Sequence, residues 1–259
     1  MTVGELLASV GRSWVRLLLY PGGTSALLLA LAALSRSRPW RAALLARHPW
    51  LALAAPWLAI AMLPLPGAAD LGYWPDCVVT LALLDLPWLA TLARDLGADR
   101  QRAARSLASL LNGYPPLLLG LLLCGGGTFD MRQLFAAPTT QPAGLLHWMG
   151  AAAITCALPP LLGLGPFAQP PREDGYALPL ALRGVGYYCV AALPWLMPLD
   201  GQIWQALPPL ALGLGLWGFH AASRRAGPRP WAWGYLALDV ALACGLAAGA
   251  GFALAQRFQ

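Results

Sequence analysis

Apolar stretches long enough to cross a bilayer, each ended by a short connector, recur along almost all of this 259-residue chain. The hydrocarbon core takes about 20 predominantly apolar helical residues to cross, and most of the chain divides into pieces of that size. Only 11% of the residues are charged, against about 25% in a soluble domain. The mean hydropathy is +0.58. In lipid every backbone N–H and C=O must be satisfied within the chain, which leaves helices as the economical solution for such segments. The expectation is a single all-α, polytopic integral membrane domain over residues 1–259, with no separate soluble domain.

Residues 1–20 read as an interfacial helix, since apolar residues recur at helical spacing over 3–18 with Arg12 and Arg16 between them. The late start of the hydrophobic region, after Pro21-Gly22-Gly23, does not fit a cleavable signal peptide. About eight transmembrane segments follow: 17–35, 50–66, 76–95, 104–124, 144–164, 177–198, 203–221 and 232–255. No repeat unit relates the two halves, so the inverted-repeat plan of secondary transporters is not indicated.

Arginine placement sets the expected orientation. The connectors after the first, third, fifth and seventh segments hold Arg36, Arg38, Arg41, Arg47, Arg94, Arg100, Arg102, Arg105, Arg172, Arg224, Arg225 and Arg229. The other connectors hold Asp70, Asp130 and Asp200 with Arg132. Basic loops stay in the cytoplasm, so the chain is expected as a multi-pass protein of the inner (cytoplasmic) membrane, both termini outside. The net charge of +6 is then a topology signal. No basic run tracks a phosphate backbone, and nucleic acid is not an expected partner.

Asp85 and Asp239 fall inside apolar segments and Asp76 opens one; these are the candidate intramembrane proton sites. A carboxyl at bilayer depth costs several kcal/mol and faces a bundle interior or a cavity. The plainer reading, favoured for Asp85 and Asp239, is a protonated acid hydrogen-bonded to a neighbouring helix. Cys77, Cys124, Cys156, Cys189 and Cys244 are widely spaced and read as small buried hydrophobes. His48, His147 and His220 show no ligand spacing. No metal or cofactor is expected in this chain, and no catalytic motif is visible.

Two stretches on the arginine side carry a resemblance. One is RSLASLLNGY over 105–114; the other is Pro166-Phe167-Ala168-Gln169-Pro170-Pro171-Arg172-Glu173-Asp174. Together they resemble the cytoplasmic motifs of the membrane subunit that respiratory complex I shares with membrane-bound [NiFe] hydrogenases. That family places a glutamate nine residues after the arginine, where Tyr114 stands here. Its Pro-Phe-Asp-Leu-Pro-Glu-Ala-Glu loop matches Pro166, Phe167 and Glu173, with Ala168 and Pro171 at its Asp and first Glu positions. Charged residues that the family carries just before this loop are Leu161 and Leu164. Asp76 stands where the family opens its third helix with an Asp, and Cys124-Gly125-Gly126-Gly127-Thr128-Phe129-Asp130 resembles its exit from the fourth.

The resemblance implies an eight-helix fold like that of complex I membrane subunit one. It implies an anchoring subunit of a complex-I-like respiratory or hydrogenase-type complex, docking a soluble iron–sulfur and hydrogenase-like arm through its cytoplasmic loops. Arg105, Tyr114, Pro166, Phe167, Glu173 and Asp174 are the docking and vestigial quinone-chamber residues it implies. Iron–sulfur clusters and a NiFe centre belong to partner subunits, with quinone or lipid in what remains of the chamber. Antiporter-like membrane subunits and the lipid bilayer are the other expected partners. Proton conduction is not expected, because Tyr114, Ala168, Leu161 and Leu164 replace acidic or charged groups. The alternative is a stand-alone ion or proton transporter using Asp85 and Asp239.

Overall fold

The computed structural model describes residues 4, 5, 7, 8, 11, 49–64, 76–131, 141–168, 175–196, 207–223 and 228–257. These residues are almost wholly helical: α1 Trp50–Ala61, α2 Cys77–Ala98, α3 Arg100–Cys124, α4 Gln141–Leu162, a 3-10 turn Gly165–Phe167, α5 Ala177–Leu196, α6 Leu207–Ser223 and α7 Pro228–Arg257. Of the expected interfacial helix, Gly4, Glu5, Leu7, Ala8 and Gly11 are described, all helical and exposed.

Among the described residues, five helices are long and apolar enough to cross a membrane: Cys77–Ala98, Arg100–Cys124, Gly144–Phe167, Ala177–Trp195 and Pro230–Ala250. The chain is a polytopic, membrane-embedded helical protein. Segment 50–66 departs from expectation, because α1 is only 12 residues long. At 1.5 Å per residue it reaches roughly 18 Å, short of the ~30 Å hydrocarbon core. Its stop precedes Pro64, which disfavours helix in the residue before it. The described part of segment 203–221 lies in the 17-residue α6. Segment 17–35 lies outside the described residues.

Single residues set several boundaries. Asp76 caps α2 by accepting the Val78 N–H. Asp99 caps α3 by accepting the Arg102 N–H at 3.0 Å, satisfying a donor that the first helical turn leaves without a partner. Asp99 alone separates α2 from α3, so the chain passes from one helix straight into the next.

In lipid the surroundings are as apolar as a Leu side chain, so the helices associate through close packing and buried hydrogen bonds. The core formed by α1 to α6 holds Leu84, Leu117, Leu121, Ile154, Leu158, Tyr187 and Leu193, all fully buried. Gly113 lies against Pro160 and Leu161, and Gly120 against Gly150 and Ile154. These contacts make α3 and α4 antiparallel, so the start of α3 and the end of α4 share one end of the bundle. At the other end Asp76 and Asp130 form an antiparallel bridge, with Cys77 N–H donating to Phe129 O at 2.8 Å.

A proline inside α4 frees a carbonyl that a neighbouring helix uses. Pro160 cannot donate to Cys156 O, four residues back, and the Tyr235 hydroxyl of α7 donates to that oxygen at 2.6 Å. The Tyr188 hydroxyl of α5 donates to Pro209 O at the start of α6. Cys77, Cys124 and Cys189 are buried as expected, while Cys156 and Cys244 face outward; all five are free thiols.

Candidate functional site

The polar centre of the bundle is built around Arg183, two turns into α5 and 6% exposed. Its Nε donates to Asp85 Oδ1 of α2 at 2.7 Å. Its Nη1 donates to Leu161 O of α4 at 2.7 Å. That carbonyl belongs to the last turn of α4, where no helical N–H remains to meet it. Gly163, at φ +63°, turns the chain there, with Leu164 N–H donating to Pro159 O at 2.8 Å. This is a glycine-terminated helix end of the Schellman kind. Arg183 therefore neutralises a buried carboxylate and caps a helix with one side chain.

Aromatic rings surround the guanidinium. It lies 4.8 Å from the ring centroid of Tyr187 and 6.0 Å from that of Trp88, where a desolvated cation gains from the ring quadrupole. Tyr187 follows Arg183 by one helical turn and is fully buried. Its hydroxyl pairs with that of Tyr114 on α3 at 2.9 Å. A polar row thus runs from Tyr114 through Tyr187 to Arg183, Asp85 and the end of α4, joining α2, α3, α4 and α5. A charge taken out of water needs a partner of good geometry and further hydrogen bonds, and this arrangement supplies both.

Asp85 was expected as a neutral acid hydrogen-bonded to a neighbouring helix; its partner is instead an arginine, and the two charges cancel. Arg183 is the residue that sequence reasoning missed. The available signal was a lone arginine inside the apolar segment 177–198, since intramembrane charges of opposite sign generally pair. Asp76, the second candidate proton site, is the N-cap of α2. The third, Asp239 on α7, lies apart from this row, with Oδ1 buried and without a hydrogen-bond partner among the described residues.

Of the candidate docking residues, Arg105, Pro166 and Phe167 lie toward the end where α3 starts and α4 finishes, while Tyr114 belongs to the central row. Arg105 is exposed on α3, and Tyr114 is half-buried further along it. Pro166 and Phe167 form the 3-10 turn, with Phe167 buried edge-on to Tyr235 at 5.7 Å. Gly165 N–H donates to His220 Nδ1 at 2.9 Å, and any side chain at this residue would meet Ser223 and Phe219 of α6. The turn is therefore clamped between α6 and α7. Glu173 and Asp174 lie outside the described residues.

The Tyr114–Tyr187 contact gives a direct test. Tyr114→Phe leaves the Tyr187 hydroxyl without this partner, and a net protein hydrogen bond contributes about 1 kcal/mol. A lower unfolding temperature in detergent is expected, with no added loss in the Tyr114→Phe/Tyr187→Phe pair beyond that of Tyr187→Phe. Strictly additive losses would show that the two hydroxyls do not interact.

Comparison of the chain with protein-family models, with curated proteins and with solved structures gave no match.

Proposed function

We propose that this chain is the membrane-anchoring subunit of a complex-I-like respiratory or hydrogenase-type complex. In this reading it spans the inner (cytoplasmic) membrane several times, with its arginine-rich connectors on the cytoplasmic side. Its arginine-rich end receives a soluble iron–sulfur and hydrogenase-like arm. The carrying observation is that the antiparallel pairing of α3 with α4 brings exposed Arg105 to the same end as the Gly165–Phe167 turn. Arg105 and the described part of the second stretch, Pro166 to Ala168, lie toward one end of the fold.

The central row supports anchoring over ion flow. Asp85 is held by Arg183 in a neutral pair and serves to join helices. A carboxylate that must load and release an ion cannot also remain in that pair. The clamped turn suits docking in a further way: a surface that does not rearrange loses little conformational entropy on association.

A mild-detergent pull-down of the tagged protein, with mass spectrometry and an iron assay, tests the proposal. Iron-containing, hydrogenase-like subunits in fixed ratio are expected. Arg105→Glu should lower their recovery about thirtyfold or more, since truncating or reversing a desolvated charge contact costs about 2 kcal/mol or more. An iron-free solitary protein would overturn the reading.

A further inference from the structure

His220 stands in the last turn of α6, half-buried, and its Nδ1 accepts the N–H of Gly165 at 2.9 Å. This contact fixes the protonation of the ring. A neutral imidazole has one donor and one acceptor nitrogen, so Nδ1 is bare and Nε2 carries the hydrogen. Protonation of the ring would place an N–H at Nδ1 and set two donors against each other. Gly165 is buried, and a buried backbone N–H that loses its acceptor is costly. The turn's own bonds, Phe167 N–H to Leu164 O and Ala168 N–H to Gly165 O, both 3.2 Å, do not involve the imidazole. Protonation therefore strikes the attachment of the turn to α6 and leaves the turn itself bonded.

We infer that His220 is a proton-sensitive latch: neutral, it ties the Gly165–Phe167 turn to α6, and protonated it lets the turn go. At this end the titratable or charged groups on the elements around α6 are Cys156 of α4, Tyr176 just before α5, Arg183 of α5, and Arg229 and Tyr235 of α7. Arg183 is held by Asp85, and the Tyr235 hydroxyl donates to Cys156 O. Arg224 and Arg225 follow α6 in the sequence. Arginine stays charged, and cysteine and tyrosine ordinarily titrate above neutral pH. Histidine alone among these types ordinarily changes charge near pH 6.5. The latch is closed above that range and opens as the pH falls through it. The turn lies at the end that the anchoring proposal gives to the soluble arm. That the latch shapes a docking surface rests on that proposal; the latch itself does not.

Amide hydrogen exchange of the purified full chain in detergent, read by mass spectrometry at about pH 7.5 and about pH 5.5, tests the latch without any partner. The pH dependence of the chemical exchange step is divided out. In the peptide covering residues 163–168, opening should rise about tenfold at the lower pH, because a released histidine binds the proton that the closed form excludes. Peptides across the contact of Gly120 with Gly150 should not respond. His220→Gln, which offers an uncharged oxygen to the Gly165 N–H, should abolish the response, and His147→Gln should keep it. An unresponsive wild type, an equal rise in the Gly120 and Gly150 peptides, a response that survives in His220→Gln, or one lost in His147→Gln would each overturn the inference. Should His220→Gln fail to fold, wild type and His147→Gln decide the matter. Every one of these outcomes leaves the anchoring proposal to its own pull-down.

Discussion

Arg183→Leu is expected to lower the unfolding free energy by about 3–5 kcal/mol, the usual result of removing one member of a buried pair. Three losses coincide. Asp85 keeps its burial and loses its counter-charge, Leu161 O loses its donor, and the aromatic contacts of the guanidinium with Tyr187 and Trp88 vanish. Much of the effect comes from the charge left behind, so the double variant Asp85→Leu/Arg183→Met should recover a large part of the stability. Thermal unfolding of the purified variants in detergent, followed by circular dichroism, is the measurement. If the double variant were as unstable as Arg183→Leu alone, the pair would not be the dominant element of the row, and helix capping at Leu161 would carry the effect.

Gly150→Leu should be more damaging still, abolishing the folded monodisperse protein. A Cβ at Gly150 would stand 2.5 Å from Gly120 O, 2.7 Å from Cys124 Sγ and 2.8 Å from Cys124 N. Two of these three neighbours are backbone atoms of α3 and cannot rotate away. The helices would have to separate along their most extensive interface, which also sets the antiparallel register of α3 and α4. Overpacking a core costs about 1–3 kcal/mol where side chains can yield, and here they cannot. Gly97→Leu is the matched control, since a side chain there meets nothing within 4 Å. Size-exclusion profiles and expression levels would read both variants, and normal behaviour of Gly150→Leu would mean the crossing is looser than these contacts indicate.

The helical character of the chain was legible in its apolar segments, because length and hydropathy are local properties. Helix boundaries near 76–95, 104–124, 144–164 and 177–198 fall within a few residues of α2, α3, α4 and α5. The shortness of α1 was not legible. The residues that follow Ala61 are as apolar as those before it, so hydropathy runs on past the point where the helix stops. The central row was legible only in part. Asp85 drew attention as a charge in hydrocarbon, but its partner lies 98 residues away and depends on which faces of α2 and α5 meet. Tyr114 read as the loss of a carboxylate; in the fold it is a polar group with a hydroxyl partner. The glycines that allow close crossing were visible as small residues, yet which helix each one faces is a property of the assembled bundle.

The separation of Asp85 from Arg183 has a consequence for biosynthesis. With the two residues 98 positions apart and translation running at about 5–20 residues per second, α2 precedes its counter-charge by roughly 5–20 s. During that interval the nascent chain carries an acid in an apolar helix before its partner Arg183 has been made. The pair is neutral only after α5 has emerged and packed beside α2. The order in which the ribosome releases these helices is therefore part of how this protein reaches the bilayer.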